Sequence, residues 1–166
     1  MKIVNNILVV AMLSLGALFC GCGDSSTPDP VPTPEPDPED PKIEVTYENM
    51  DAIWMLKGID NALIDGDNSY FYIDIDGETK EYVIYENLNS SFSHKKIGTF
   101  LIGDDEVITG SYVNMPQVEW ADSYLIKFLT KNAMTWTGID SKQVQQFVLV
   151  DEIPQEIVDG SRSVTN

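Results

Sequence analysis

The chain has 166 residues, of which 27 are Asp or Glu and 10 are Lys or Arg, and its formal net charge is −17. This acidic excess argues against nucleic acid as a partner, because nucleic-acid binding requires clustered Lys and Arg that release counterions. Direct binding to anionic membrane surfaces is disfavoured for the same reason. The two cysteines are Cys20 and Cys22, so we expect no disulfide, thiol nucleophile or zinc–thiolate site further along the chain.

Residues 1–21 have the pattern of an export signal. Lys2 supplies a positive start, and Ile7 to Phe19 form an apolar run of 13 residues that is too short to span a membrane comfortably. Gly21 provides the small residue that must precede a cleavage point. The sequence therefore predicts a cleaved signal peptide over residues 1–21. An ordinary secretory peptide and a single N-terminal transmembrane anchor stay open as alternatives.

The end of this leader carries the motif Phe19-Cys20-Gly21-Cys22. It resembles the bacterial lipobox, in which the cysteine after a small residue is acylated and becomes the mature N-terminus. The resemblance implies that Cys22 carries acyl chains such as palmitate, each stabilising membrane attachment by about 0.8 kcal/mol per buried CH2 group. It also implies a Gram-negative envelope protein anchored in the outer membrane, on its periplasmic or cell-surface face. Gly23 after the cysteine is compatible with that sorting.

Residues 22–42 are predicted to form a tether behind the lipidated cysteine. Seven of the nine prolines and six acidic residues lie between Gly23 and Lys42. Proline restricts φ and lacks a backbone donor, so neither helix nor sheet is expected there. Twenty residues of polyproline II at about 3.1 Å each reach on the order of 60 Å. The tether is therefore expected to hold the rest of the chain away from the membrane.

Alternation of apolar and polar residues dominates the remaining segment, residues 43–166. Phe71, Ile73 and Ile75 fall on one face of a strand whose end is marked by the hairpin signal Asp76-Gly77. Eight strands are predicted in up-and-down order, over residues 54–59, 70–76, 80–86, 96–102, 106–112, 122–129, 134–139 and 143–150. A short helix is predicted over 154–158, with Pro154 as its first residue and Gly160 ending it.

Eight sequential antiparallel strands are expected to close on themselves, because open sheet edges promote aggregation. The predicted fold is an all-β, eight-stranded up-and-down barrel with a short C-terminal helix, in a single domain over residues 43–166. A two-sheet β-sandwich is the alternative fold.

Three segments of this domain resemble the lipocalin-like domain of small bacterial lipoproteins. They are the Trp-containing run 52–56, the hairpin 72–77 and the closing run 145–150 followed by Ile153-Pro154. The resemblance covers residues 50–158. It implies an eight-stranded barrel whose interior can hold an apolar ligand.

Aromatic side chains are the best candidates for contacts with such a ligand. Phe71, Ile73 and Trp136 are predicted to point into the barrel, and Tyr72 and Trp120 are predicted to lie at its rim. Trp120 belongs to the longest irregular connection, and such loops often carry binding sites. Alternatively, these side chains pack in a filled core or pair across neighbouring strands.

No catalytic constellation is found, and we predict that the protein is not an enzyme and requires no metal or cofactor. Asp65-Gly66-Asp67-Asn68 has the composition of a calcium loop, but the position that requires glycine is Tyr70. His94 is the only histidine, and it accompanies no recognisable nucleophile motif. Carboxylate pairs are numerous, and for that reason no single pair is informative.

Two hypotheses for function follow from the sequence. In the first, a membrane-anchored lipoprotein binds a small apolar or amphipathic ligand inside its barrel. In the second, a solid-core protein acts as an accessory subunit of an envelope complex or as an inhibitor of an extracellular enzyme. An interior cavity of a few hundred Å3 would favour the first hypothesis. Neither the protein partner nor the oligomeric state is predicted.

Overall fold

The computed structural model describes residues 40–64, 69–88, 90 and 92–164. The predicted signal peptide, Cys22 and the tether up to residue 39 lie outside the described residues, as does the Asp65-Gly66-Asp67-Asn68 segment. In the part of the chain that is described, no helix has the length and apolar character needed to cross a membrane.

The described residues form ten strands and two short helices. The helices are α1 (Tyr47–Met50) and α2 (Gln155–Gly160). The strands are β1 (Ala52–Ile59), β2 (Ala62–Leu63), β3 (Tyr70–Asp76), β4 (Glu81–Asn87), β5 (His94–Ile102), β6 (Val107–Tyr112), β7 (Tyr124–Leu129), β8 (Ala133–Gly138), β9 (Val144–Val150) and β10 (Arg162–Ser163). All eight predicted strands are confirmed, whereas α1, β2 and β10 were not predicted.

Eight of the strands close into an antiparallel barrel. Each strand from β3 to β8 pairs with the next one along the chain, and β1 pairs with both β3 and β9. The pairing of β5 with β6 joins the two ends of the sheet order and completes the ring. The predicted barrel is therefore confirmed and the β-sandwich alternative is wrong, because all the described strands belong to one sheet that closes on itself.

The predicted alternation decides which side chains fill the barrel. In β3, Ile73 and Ile75 are 1% and 2% exposed, whereas Asp74 and Asp76 are on the exposed face. The same rule buries Trp54 of β1 at 1% exposure. Burying a large apolar side chain contributes about 1.5–3 kcal/mol, so these inward positions supply much of the stability of the barrel.

One end of the barrel is closed by the segment that precedes β1. Met50 of α1 is fully buried there, and its carbonyl accepts a hydrogen bond of 3.0 Å from Trp54 Nε1. Thr46 caps α1 by accepting from the Asn49 N–H at 3.1 Å. Ile43 N–H donates to the Leu129 carbonyl at 2.8 Å, which fixes the segment to β7. A helix of four residues has too little periodicity to be recognised in the sequence.

The hairpin predicted at Asp76-Gly77 is present, and its turn spans residues 77–80, with the positive φ at Lys80. Gly77 is required for another reason. A Cβ atom at this position would lie 2.2 Å from the Tyr47 carbonyl oxygen of α1. The glycine therefore permits the closing segment to approach the β3–β4 turn.

The C-terminal segment packs on the outside of the barrel. Helix α2 begins one residue after the predicted start, because Pro154 is its N-cap, and Gly160 is its last residue. Strand β10 then pairs in parallel with the beginning of β5. The Asn114 side-chain amide joins these parts, since it donates to the carbonyls of Lys95 and Val164 at 3.3 and 2.9 Å.

Candidate ligand-binding cavity

The opposite end of the barrel contains a cavity of about 200 Å3. It lies where the β4–β5, β6–β7 and β8–β9 connections meet, away from α1. The described residues that line it are Phe71, Ile73, Ile84, Glu86, Lys96, Tyr112, Trp120, Ala121, Tyr124, Trp136, Gln143 and Gln145.

Trp120 lies at the centre of the aromatic wall of the cavity. Its ring stacks on Tyr82 with 5.8 Å between ring centroids and an angle of 25°. It meets Tyr124 edge-on at 5.6 Å and Trp136 at 6.4 Å. Such arrangements of aromatic rings each contribute about 0.5–1.5 kcal/mol beyond the burial of their area. The wall is therefore a connected set of rings with flat faces near the cavity.

An ion pair lies among these rings. Lys96 Nζ is 2.6 Å from Glu86 Oε1, and the two side chains are only 23% and 20% exposed. The β4–β5 register places Lys96 beside Ile84, which explains why both charged side chains face inward. Lys96 Nζ also lies 5.7 Å from the centre of the Tyr112 ring. The cavity thus combines aromatic surface with one positive and one negative group.

Buried tyrosine hydroxyls add hydrogen-bonding capacity to this end. Burial, the charge of Glu86 and the nearby Tyr124 raise the pKa of Tyr112 to about 12. Burial also raises the pKa of Tyr124, although a hydrogen bond with Gln145 opposes the shift. Both groups stay protonated at neutral pH and can act as donors to a ligand.

The barrel wall opens beside the cavity. Within the described residues β6 and β7 pair at two positions, Val107 with Leu125 and Ile108 with Tyr124, whereas the other neighbouring barrel strands pair at four to seven. Trp120 fills the opening from the β6–β7 loop. A Cβ atom at Gly110 would lie 2.6 Å from the indole ring, so only glycine permits this contact.

A groove of about 470 Å3 lies outside this opening. It is lined on one side by residues 109–111 of β6 and on the other by residues 116 and 118–123 of the loop. Trp120 and Ala121 line both the groove and the interior cavity. These two residues therefore form the partition between the interior of the barrel and the outside.

The loop that carries Trp120 is fixed at both ends. Asn114 Oδ1 accepts from the Ile97 N–H at 3.0 Å, and Met115 beside it is 4% exposed. The Asp122 carboxylate accepts from the backbone N–H groups of Ser141, Asp140 and Ser123 and from the Ser141 hydroxyl, at 2.7–3.1 Å. These bonds, with the Ser141 N–H the strongest, lower the pKa of Asp122 to about 2. Residues 116–121 span the distance between the two anchors.

The structure places four of the five candidate ligand contacts at the cavity. Phe71, Ile73 and Trp136 point inward as predicted, and Trp120 lines the cavity from the loop. The placement of Tyr72 at the rim is wrong. It lies on the outer face of β3 against Ile157 of α2, because alternation turns it away from its neighbours.

Glu86 and Lys96 were missed as candidates. The available signal was period-two spacing, because Glu86 shares its face with the inward Tyr82 and Ile84, and Lys96 shares its face with Phe100. Charged residues near the end of a strand are normally expected to be exposed to solvent. Only the register shows that the two charges meet inside the barrel.

His94 is the first residue of β5, directly after the β4–β5 connection. Its Nε2 is 3.1 Å from the Ser90 hydroxyl, whose oxygen also accepts from the Phe92 N–H at 3.1 Å. Among the described residues, no carboxylate hydrogen-bonds to this ring, and no three His, Cys, Asp or Glu side chains converge as metal ligands would.

Comparison of the chain with protein-family models, curated proteins and solved structures gives no match. The resemblance described above therefore depends on the residues quoted for it. The fold that it implies, an eight-stranded barrel, is present, as is the short C-terminal helix predicted from residues 154–158. Lipidation and the ligand stay predictions.

Proposed function

We propose that this chain is an exported lipoprotein of the Gram-negative outer membrane whose barrel binds a small amphipathic ligand. The observation that carries the proposal is the cavity of about 200 Å3 at one end of the barrel. It is lined by aromatic rings and by a few convergent polar groups, which is the usual composition of a small-molecule site.

The size of the cavity limits the ligand. Cavities that bind drug-sized molecules measure about 300–1,000 Å3, whereas an apolar cavity of about 150 Å3 holds benzene in a well-studied protein. The 200 Å3 found here therefore fits a single ring with a short substituent. A long acyl chain would not fit within it.

The polar groups provide the means to orient such a ligand. Gln145 Nε2 donates to Gln143 Oε1 at 3.2 Å, leaving further donors and acceptors of both amides near the cavity. Glu86 and Lys96 lie on the wall formed by β4 and β5. The rings would bind the apolar part of the ligand, and these groups would select its polar part.

The N-terminal segments determine where the barrel works. Cys22 would hold the protein on the membrane through its acyl chains, and the proline-rich residues 23–42 would keep the barrel at a distance from the lipid surface. Loss of Lys2 with the leader makes the mature chain more acidic, at −18. This arrangement suits capture of a solute at the periplasmic or cell-surface face.

A second candidate is an interaction or accessory protein of the envelope, or an inhibitor of an extracellular enzyme. The outer groove of about 470 Å3 favours it, because acidic Glu119 and Asp140 line this groove without any Lys or Arg among the described lining residues. A basic segment of a partner would be complementary to this charge.

Native mass spectrometry of the mature protein, released from its own membrane in a mild detergent, tests the ligand-binding proposal. We expect a reproducible adduct of low mass that is lost on denaturation. A Trp136→Ala variant should reduce the adduct, whereas Val113→Ala, at an exposed position outside the cavity, should retain it. A bare mass across several growth conditions would contradict the proposal and favour the second candidate.

Substitution of the two leader cysteines tests the anchor separately. Cys22→Ala should prevent lipidation and leave uncleaved precursor or unanchored protein. Cys20→Ala is the matched control, since it retains a small residue in the motif and should still yield membrane-bound mature protein. Mature Cys22→Ala protein in the membrane fraction would disprove the lipobox assignment.

A further inference from the structure

We infer that the ligand is a ring-bearing zwitterion, with an ammonium and a carboxylate group close together at one end of the molecule. The inference rests on the proposed ligand-binding function and specifies its chemistry. The juxtaposition that carries it is the Glu86–Lys96 ion pair in the wall of an otherwise aromatic and uncharged cavity.

The ion pair supplies all the charge of the site. Among the described residues that line the cavity, Glu86 and Lys96 alone carry formal charge at neutral pH. They lie on adjacent strands whose register is continuous over six residue pairs, so their positions are held by the barrel itself. The site therefore presents one negative and one positive group side by side.

The fold does not require charge at these two positions. Towards the middle of the barrel, the inward residues on the same strands are Tyr82 and Ile84 of β4 and Gly98 and Phe100 of β5, and all four are buried. Withdrawing an ion pair from water has a desolvation cost that its mutual attraction often fails to offset. An apolar pair would extend the core, so the charges are best explained by contact with a charged ligand.

The pairing of opposite charges selects a ligand that also carries both. A lone cation near the pair is attracted by Glu86 and repelled by Lys96 at nearly the same distance, and the two energies largely cancel. A lone anion meets the same cancellation, and the acidic surface of the protein further disfavours it. A zwitterion aligned antiparallel to the pair gains attraction at both ends.

The remaining surface of the cavity fits the ring. Phe71 and Trp136 line the cavity together with Trp120, whose ring contacts that of Trp136, and the Tyr112 ring lies beside Lys96. A phenyl or similar ring can stack on these faces while its polar end reaches Glu86 and Lys96. The volume of about 200 Å3 accommodates a ring and a short charged arm together.

Four probes with the same phenyl ring and similar length test the inference. They are phenylalanine as the zwitterion, phenethylamine as the cation, 3-phenylpropionate as the anion and 3-phenylpropanol as the neutral molecule. Binding is measured by titration calorimetry with the mature protein in lipid nanodiscs, and empty nanodiscs provide the blank. We expect phenylalanine to bind at least tenfold more tightly than each of the other three.

Variants of the pair show whether the preference comes from it. Glu86→Gln and Lys96→Gln should each remove the tenfold preference, whereas the double variant E86K/K96E, which reverses the pair, should retain it. Lys42→Gln is the control, because it breaks the exposed Lys42–Glu106 pair of 3.5 Å outside the cavity and should leave binding unchanged. Thermal unfolding confirms that each variant is folded.

The outcomes separate the two proposals. Equal binding of all four probes would disprove the inference of a zwitterionic ligand, as would a preference for phenylalanine that persists in both single variants. Either result would still support a cavity that binds ring-containing molecules. If none of the probes binds at millimolar concentration, the inference is also wrong. The adduct experiment then decides independently whether the barrel carries any ligand.

Discussion

The two ends of the barrel are built from the same alternating strands but have different interiors. At the end closed by α1, Met50, Trp54 and Phe100 are at most 1% exposed and belong to one core cluster. At the other end, the inward side chains of Phe71 and Tyr112 are only half-buried and surround about 200 Å3 of space. Alternation alone therefore does not decide whether a barrel interior is solid or hollow.

The covering segments account for the difference. Residues 43–50 insert into one end and contribute Val45 and Met50 to the core. Residues 116–121 cross the other end between two anchors and contribute only Trp120 and Ala121 to the described lining of the cavity. The inserted segment fills the interior of its end with buried side chains, whereas the loop held at its two ends leaves a cavity beneath it.

The two ends are expected to differ most in the loss of stability when a large inward side chain is replaced by alanine. Trp54→Ala should lower the free energy of unfolding by about 3–5 kcal/mol, because it leaves a cavity in close-packed surroundings. Phe71→Ala, beside existing space, should cost less than half as much. Urea unfolding of both variants measures the difference, and equal losses would show that the two ends are equally packed.

Gly77→Ala tests the close contact at the plugged end. The new Cβ would lie 2.2 Å from a backbone carbonyl that cannot move without displacing α1, so we expect a loss of about 1–3 kcal/mol. Gly160→Ala is the matched control, since a Cβ there meets no atom within 4 Å. If the two variants have similar unfolding midpoints, α1 is not held against the turn.

Gly110→Ala tests the partition at the hollow end. Its Cβ would meet the Trp120 indole at 2.6 Å, but a loop side chain can move aside, so the loss of stability should be smaller than for Gly77→Ala. Tryptophan emission should shift to longer wavelength and acrylamide quenching should increase. Trp54 and Trp136, 1% and 2% exposed, should contribute little to either change. Unchanged quenching would contradict the role of Trp120 as the partition.

The smallest effect is expected from the pH dependence of the loop anchor. The pKa of Asp122 is lowered from 3.8 to about 2, so its carboxylate stabilises the fold above about pH 4. That contribution is lost as the pH falls towards 2. Asp122→Asn should flatten this part of the stability profile measured by urea unfolding between pH 6 and pH 2. Asp104→Asn, on the exposed turn before β6, should leave the profile unchanged.

Strand positions could be predicted because alternation is a local property of the sequence. The inward placement of Phe71, Ile73 and Trp136 followed directly from it. Tyr72 was misplaced because its aromatic character was given more weight than its position in the alternation, which assigns it to the outer face. The helix α1 and the role of Gly77 depend on contacts between residues about 30 positions apart, and local patterns carry no such information.

The sequence by itself determined the number of barrel strands, their order and the face on which most of their side chains lie. Only the tertiary structure decided that residues 43–50 fill one end, that β6 and β7 separate behind Trp120, and that Glu86 and Lys96 meet inside the barrel. Alternation requires only the adjacent residues of one strand. The strand register, the filling of one end by residues 43–50 and the separation of β6 from β7 depend on how distant segments pack together. The contacts that determine them form only when the barrel closes.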